Sequence, residues 1–366
     1  MSTKTIRWFF PQFGENEKNG VLKVLESNYL NDGEVTRAFE EKVAAFIGCR
    51  YCVAVTSGTA AIALSLMALG IGPGDEVIVP DLTFIATANA VRLAGASVKL
   101  VDIEPLRFTI DPARVDESIG PQTKAVIAVD VNGRGANYEA LEPLCKKHKL
   151  ALICDSAEAL GSKYKGRYLG TYGNAGCFSF SANKTVSSGQ GGMIATNDID
   201  VYHRLRELKD QGRRFGGTGG DDLHPVLGFN FKYTNLQAAV ALAQLERLSQ
   251  RISHFQDRDR WYSKALQGCP QVTLPPLDEP GEVRQWTDLL CQNRTELEIA
   301  FKQNQIDIRP FWFPLHTQRP YRLPDEGFAH SIHISQEGLW LPSSFELTEE
   351  DVGKVSKIIR ETLFLL

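Results

Sequence analysis

The 366-residue chain has no apolar run approaching the ~20 residues that a bilayer-spanning helix needs. Its first residues, Met1-Ser2-Thr3-Lys4-Thr5-Ile6-Arg7-Trp8, also lack the apolar core of a secretion signal. Positive charge is not in excess. Forty Lys and Arg stand against 44 Asp and Glu, a net charge of −4, so no global field draws the chain to nucleic acid or to an anionic membrane. There is neither a GxGxxG nor a Walker loop, which weighs against dinucleotide and ATP sites. Cysteine is sparse, seven scattered residues of which several lie in strand-like runs, and this reads as reduced, buried thiols in a cytoplasmic protein. Cys49 and Cys52 form a C-x-x-C, but no second pair or His pair follows at zinc spacing, so no metal or redox centre is expected. Repeats and low-complexity tracts are absent as well. What remains is an ordinary soluble composition, 43% hydrophobic and 23% charged, with length for one large α/β unit and a smaller one.

From about residue 50 to 200, strand and helix patterns alternate. Strands are expected at 51–56, 76–80, 97–102, 124–131 and 150–155, and helices at 60–69, 86–93, from Asp111, and at 138–149. Near-continuous Val/Ile/Ala strands separated by helices imply a mostly parallel sheet covered on both faces. After Gly192 the pattern predicts a charged helix over 198–209, capped by Asn197. A loop over 212–220 follows, carrying Arg213, Arg214 and five glycines. A single long helix is expected over 235–251, apolar at Leu236, Val240, Leu242, Leu245 and Leu248. Beyond it come charged helices, short strands and proline-rich joints. The expected division is a large unit over 1–245, with an N-terminal arm, and a small α/β unit over 246–366.

Ligands of such sheets gather outside the carboxyl ends of the strands. Three segments fall there. Thr56-Ser57-Gly58-Thr59-Ala60 opens a helix straight after a strand, where unpaired N–H groups suit a phosphate; alone, it reads more readily as an ordinary Ser/Thr cap, and the other two segments favour the phosphate. Asp155 ends the strand-like run Leu152-Ile153-Cys154. Lys184 follows Phe178-Ser179-Phe180 and precedes the glycine-rich turn Ser187-Ser188-Gly189-Gln190-Gly191-Gly192. A partly desolvated amine is free to form a Schiff base, and an aspartate can hold a pyridine nitrogen protonated. Together they are what pyridoxal phosphate (PLP) asks of its protein. Phe84 divides evenly between core and a ring stacked on the cofactor. His330 and His333 have no third ligand and are read as structural.

Five stretches carry a family resemblance: TSGTAAIALSLMALGIGPGDEVIVPDLTFIATANA (56–90), DSAEALGSKYKGRYLGTYG (155–173), FSFSANKTVSSGQGGMIATND (178–198), GFNFKYTNLQAAVALAQLERL (228–248) and RPFWFPLH (309–316). Together they resemble the DegT/DnrJ/StrS family of PLP-dependent sugar-nucleotide aminotransferases, from about residue 8 to the end. Glu158 and the lysine segment look most like the GDP-perosamine synthase branch. The resemblance implies an aspartate-aminotransferase-type (fold type I) α/β fold with a mostly parallel seven-stranded sheet, in a homodimer with active sites at the interface.

It further implies that Lys184 carries the cofactor and shuttles the proton, with pyridoxamine phosphate formed in passing. Asp155 would pair with the ring nitrogen, Glu158 lie near the ring oxygen and Phe84 stack on the ring. Ser57, Gly58, Thr59, Ala60 and Ser179 would hold the phosphate, with Lys232 donated by the neighbouring subunit. The amino donor would be L-glutamate. The acceptor would be a nucleotide-linked keto-sugar, first a GDP-linked 4-keto-6-deoxyhexose aminated at C4, otherwise a dTDP- or UDP-linked one. Asn31, Arg134, Arg213, Arg214, Arg309 and His316 are the expected substrate contacts. A PLP-dependent sugar dehydratase is disfavoured because related dehydratases carry histidine where this chain has Lys184. The intact lysine, aspartate and phosphate loop also disfavour a non-enzymatic regulator. Three departures stand out: Asp130-Val131-Asn132-Gly133-Arg134 where relatives read HLYG, Gln190 for a frequent Glu, and Val283-Arg284-Gln285-Trp286 for an aromatic segment that often includes His.

Overall fold

In the computed structural model, which describes residues 5–214 and 222–364, those residues build two main sheets and a small two-stranded one. Two helices lead in, α1 (Glu15–Glu26) and α2 (Glu34–Ile47). The alternating run then follows: β1 (Tyr51–Val55), α3 (Gly58–Ala68), β2 (Glu76–Pro80), α4 (Ala86–Leu93), β3 (Ser97–Val101), α5 (Pro112–Ser118), β4 (Thr123–Val129), α6 (Tyr138–His148) and β5 (Ala151–Asp155). A short hairpin, β6 (Lys163–Tyr164) and β7 (Arg167–Tyr168), precedes β8 (Ala175–Ser179) and β9 (Gly192–Thr196).

The large sheet has seven strands in the order β1-β9-β8-β5-β4-β2-β3. It is mixed and mostly parallel, because β9 alone runs against its neighbours β1 and β8. The carboxyl ends of the other six therefore share one rim, and β9 starts there. This is why turns distant in sequence converge. Apart from the edge strand β3, the strands are buried on both faces, which explains their unbroken Val/Ile/Ala character. One face packs on α3, α4 and the helix α7 (Ile199–Lys209), which together contribute Leu64, Val91 and Leu205 to its core. The other meets α6 through Leu141, and α2 and the helix α8 (Asn235–Glu246) through Phe39 and Ala238.

Two local expectations are corrected. Helix α7 is capped by Asp198, whose carboxylate accepts from the Asp200 and Val201 amides, while Asn197 instead accepts from the Arg50 amide at 2.9 Å and ties β9 to the start of β1. The helix expected over 235–251 is two helices, α8 and α9 (Leu248–Ala265), with a break at Arg247. In α8 the alanines Ala238, Ala239, Ala241 and Ala243 are buried, while Leu236 and Leu242 are only half-buried.

The remaining chain forms a four-stranded sheet, β10 (Val272–Thr273), β11 (Thr287–Cys291), β12 (Arg309–Pro310) and β13 (Gly338–Leu341), in the order β10-β11-β13-β12. Helices α10 (Arg294–Gln303) and α12 (Glu349–Phe364) share its core with α9, and α11 (Ala329–Glu337) leads into β13. The N-terminal segment reaches this sheet too. Ile6 bridges to Ile306, and Trp8 lies 5.1 Å from Trp286.

Candidate active site

The rim of the large sheet holds a cavity of about 280 Å³ bordered by Ser57, Gly58, Thr59, Phe84, Asp155, Glu158, Ser179, Lys184 and Arg309. At one end is the start of α3. Ser57 Oγ caps the helix by accepting from the Ala60 amide at 3.1 Å, which buries Ala60 in the first turn. The Gly58 and Thr59 amides have no partner within the helix, and the positive end of its dipole points the same way. Ser179, at the end of β8, lies beside this turn, since a Cβ on Gly58 would sit 3.1 Å from the Ser179 Cβ. Gly192 completes the cradle from β9. A Cβ there would come within 2.3 Å of the Ser57 carbonyl oxygen, so no larger residue fits without moving the turn.

Asp155 closes β5 near the middle of the sheet. Thr87 Oγ1 donates to its Oδ2 at 2.7 Å, Thr83 pairs with Thr87 at 3.0 Å, and the Ala157 amide donates to Oδ1 at 3.3 Å. Burial raises its pKa from 3.8 to about 6, opposed by the Thr87 and Ala157 hydrogen bonds. A buried carboxylate of this kind gains most from a cationic partner. A protonated ring nitrogen supplies one.

Lys184 Nζ lies 3.2 Å from Glu158 Oε1 and 5.0 Å from the centroid of the Trp286 ring. Its side chain is 12% exposed. Glu158 Oε2 accepts from the Asn132 amide at 3.2 Å, so the carboxylate is fixed from both sides. Next to this, Asp130 is wholly buried and its pKa is pushed up to about 7 by desolvation, although Ser156, Tyr138 and the Ala136 amide all donate to it.

The other expected site residues lie outside the cavity. Lys232 is bridged to Val55 beside the α3 turn and pairs with Asp210 at 2.5 Å. The Asn31 carbonyl accepts from the Asn235 amide at 3.2 Å. Arg213 is 3.3 Å from Asp222 and Arg214 is 3.7 Å from Glu207, and the glycines of their loop, Gly216 to Gly220, lie outside the described residues. Arg134 is fully buried and ion-paired with Asp288, and so joins the large sheet's rim to β11. His316 is also fully buried; its Nδ1 is 2.7 Å from Asp81 Oδ2 and its ring stacks on Phe328 at 4.4 Å. Thr83, Thr87, Asn183, Trp286 and Trp312 border the cavity without having been singled out for it. The threonines, Asn183 and Trp312 fall within the recognised stretches, but Trp286 does not, and it reaches the cavity only through packing of the second sheet.

This donor set fits PLP: a glycine-lined helix start and two hydroxyls for a phosphate, a buried carboxylate for a ring nitrogen, and a poorly exposed lysine for an aldehyde. The described residues hold no cluster of three or more His, Cys, Asp or Glu placed to bind a metal ion, and no helix long and apolar enough to cross a membrane.

Comparison with known proteins agrees. The sequence profile of the DegT/DnrJ/EryC1/StrS aminotransferase family matches residues 11–360. GDP-perosamine synthase of Caulobacter vibrioides is 34% identical over 366 residues, covering 96% of this chain and 97% of that protein. UDP-N-acetyl-3-dehydro-alpha-D-glucosamine 3-aminotransferase of Acidithiobacillus ferrooxidans is 32% identical, covering 98% and 96%. Among solved structures, S. venezuelae DesV superposes with a TM-score of 0.90 at 30% identity, covering 95% of this chain and 94% of that one.

Proposed function

The chain belongs to the DegT/DnrJ/EryC1/StrS family of PLP-dependent sugar aminotransferases, and from that premise we propose that it moves an amino group from L-glutamate to C4 of a GDP-linked 4-keto-6-deoxyhexose. The observation that carries the aminotransferase reading is the single cavity shared by Lys184, Asp155 and the start of α3. The choice of sugar rests on similarity to proteins named GDP-perosamine synthase.

When bound, PLP supplies an aldehyde that takes the amino group and a ring that receives the electrons of a broken C–H bond. Lys184 anchors it and, once released, moves the proton at the donor's Cα. General acid–base catalysis of this kind contributes about 10²–10⁴-fold. Asp155 holds the ring nitrogen's proton. Ser57, Thr59, Ser179 and the α3 amides grip the phosphate. Phe84 and Trp286 wall the site against water. Arg309 borders the cavity between Trp8 and Trp340, 5.2 and 5.4 Å from their ring centroids, without a carboxylate partner among the described residues, and it suits a carboxylate of glutamate.

The working unit is a homodimer in the cytoplasm, with Lys232 reaching the neighbour's phosphate. Support comes from an apolar groove of exposed Phe13, Leu22 and Leu25 beside Ser188 and Gly189, in the turn that follows Lys184.

The test is a panel of GDP-, dTDP- and UDP-linked keto-sugars, following 2-oxoglutarate formed from glutamate. Turnover is expected with GDP-4-keto-6-deoxymannose. Turnover only with a dTDP- or UDP-linked acceptor would overturn the sugar and leave the aminotransferase; none with any acceptor would count against both.

A further inference from the structure

The segment Asp130-Val131-Asn132-Gly133-Arg134 organises the surroundings of Lys184. Asn132 sits just beyond β4 in a left-handed conformation (φ 54°, ψ 35°) that asparagine tolerates better than most residues. It is fully buried. Its side chain treats Trp286 as a neighbouring strand would: Oδ1 accepts from the Trp286 amide at 2.7 Å and Nδ2 donates to the Trp286 carbonyl. Nδ2 also donates to Asp288 Oδ1 at 2.8 Å. Its own amide donates to Glu158 Oε2. Glu158 and Trp286, the two groups beside Lys184 Nζ, are thus both held by one residue. From behind, Trp8 and Trp340 lie 5.1 Å from the Trp286 ring and fix its plane.

We propose that Asn132 is a positioning residue that sets the Trp286 indole against Lys184, and that the ring face stabilises positive charge on the lysine nitrogen, both while it holds the cofactor and after its release. The proposal rests on Lys184 serving the cofactor and is indifferent to which sugar is accepted. A carboxylate such as Glu158 attracts an ammonium but competes for its proton. An aromatic face attracts the cation and cannot take the proton, so the amine stays free to deliver it. The ring face is the part turned to the lysine, since Nζ lies over it at 5.0 Å from the centroid, and the indole N–H has no acceptor among the described residues. The other charged groups bordering the cavity are Asp155 at the end of β5, Glu158 after it and Arg309 on β12, and none changes in the variants below.

The experiment uses PLP-loaded wild type, W286F, W286L, N132G and the double variant N132G/W286L. Glycine keeps the left-handed backbone at 132 and removes only the side chain. Two readouts are followed: the single-turnover rate with L-glutamate alone, and the pH midpoint of the borohydride-sensitive visible band, which reports protonation at the lysine nitrogen. A ring face favours the cation, so losing it moves the midpoint to lower pH. W286L and N132G are expected to slow the step about tenfold with little change in the KM for glutamate, and both lower the midpoint. W286F lowers the midpoint less and stays within about threefold in rate. Because Asn132 acts through Trp286, the double variant is no more than about twofold slower than either single. Losses that multiply to about a hundredfold would make the two residues independent and overturn the positioning role. An unmoved midpoint in W286L would overturn the ammonium role, and if that variant does not fold, an unmoved midpoint in W286F does so. Absence of the visible band in wild type would instead refute the cofactor reading.

Discussion

Replacing Asp155 by Asn should make the cofactor-free protein more stable and the enzyme far slower. The shape is conserved, and the Thr83–Thr87 hydroxyl pair can turn to accept from the new amide. In the folded chain burial raises the Asp155 pKa from 3.8 to about 6, so the folded state holds its proton more readily than the unfolded state. For a carboxyl raised in this way, stability is greatest below the ordinary value and is lost as pH rises through about 6. The cost of keeping it ionised at pH 7.5 is about 3 kcal/mol, falling to roughly half by pH 5. The neutral amide avoids it. Denaturant titration of the cofactor-free Asp155→Asn protein should therefore show up to about 3 kcal/mol gained at pH 7.5 and about half as much at pH 5. Catalysis loses an ion pair worth about 4 kcal/mol at an interior-like effective dielectric, about 10³-fold in kcat. Turnover within about tenfold of wild type, with cofactor bound, would refute the electrostatic role. A stability loss equal at both pH values would refute the burial argument.

Gly192→Ala should push the Ser57 turn, because its Cβ would meet the Ser57 carbonyl oxygen at 2.3 Å, and equilibrium dialysis should show PLP retention weakened about tenfold. Arg309→Gln should raise the KM for glutamate about 10- to 100-fold while kcat changes less, the signature of a lost charged contact to the donor. Mixing Lys184→Ala subunits with Lys232→Ala subunits should restore about a quarter of wild-type activity, since half the dimers then carry one intact site. No restored activity, or an active monomer in sedimentation, would place Lys232 in its own subunit's site.

Much of the fold was legible because the strands of the large sheet, the edge strand β3 apart, are buried on both faces and read as unbroken Val/Ile/Ala runs. That same burial hid the direction of β9. Gly192–Thr196 is buried at every position, so nothing in its pattern distinguishes an antiparallel strand between two parallel ones. The break at Arg247 was illegible because no proline or glycine marks it. In the cavity, Lys184, Asp155 and the Ser57 turn carried local chemistry of their own. The surroundings of Arg134 and His316 were hidden for a physical reason: a charge in a loop reads as available, yet Asp288 and Asp81, 154 and 235 residues away in sequence, pair with them. Trp286 and Asn132 were quoted only as departures from the family pattern. Their pairing depends on packing between the two sheets.

The central claim is that Lys184 carries the cofactor, and borohydride reduction of the PLP-loaded protein followed by peptide mapping tests it most directly. One reduced adduct is predicted, on Lys184, with proteolytic cleavage after that residue blocked. An adduct on another lysine, such as Lys232 or the buried Lys209, or a protein that binds PLP without forming any adduct, would contradict the account.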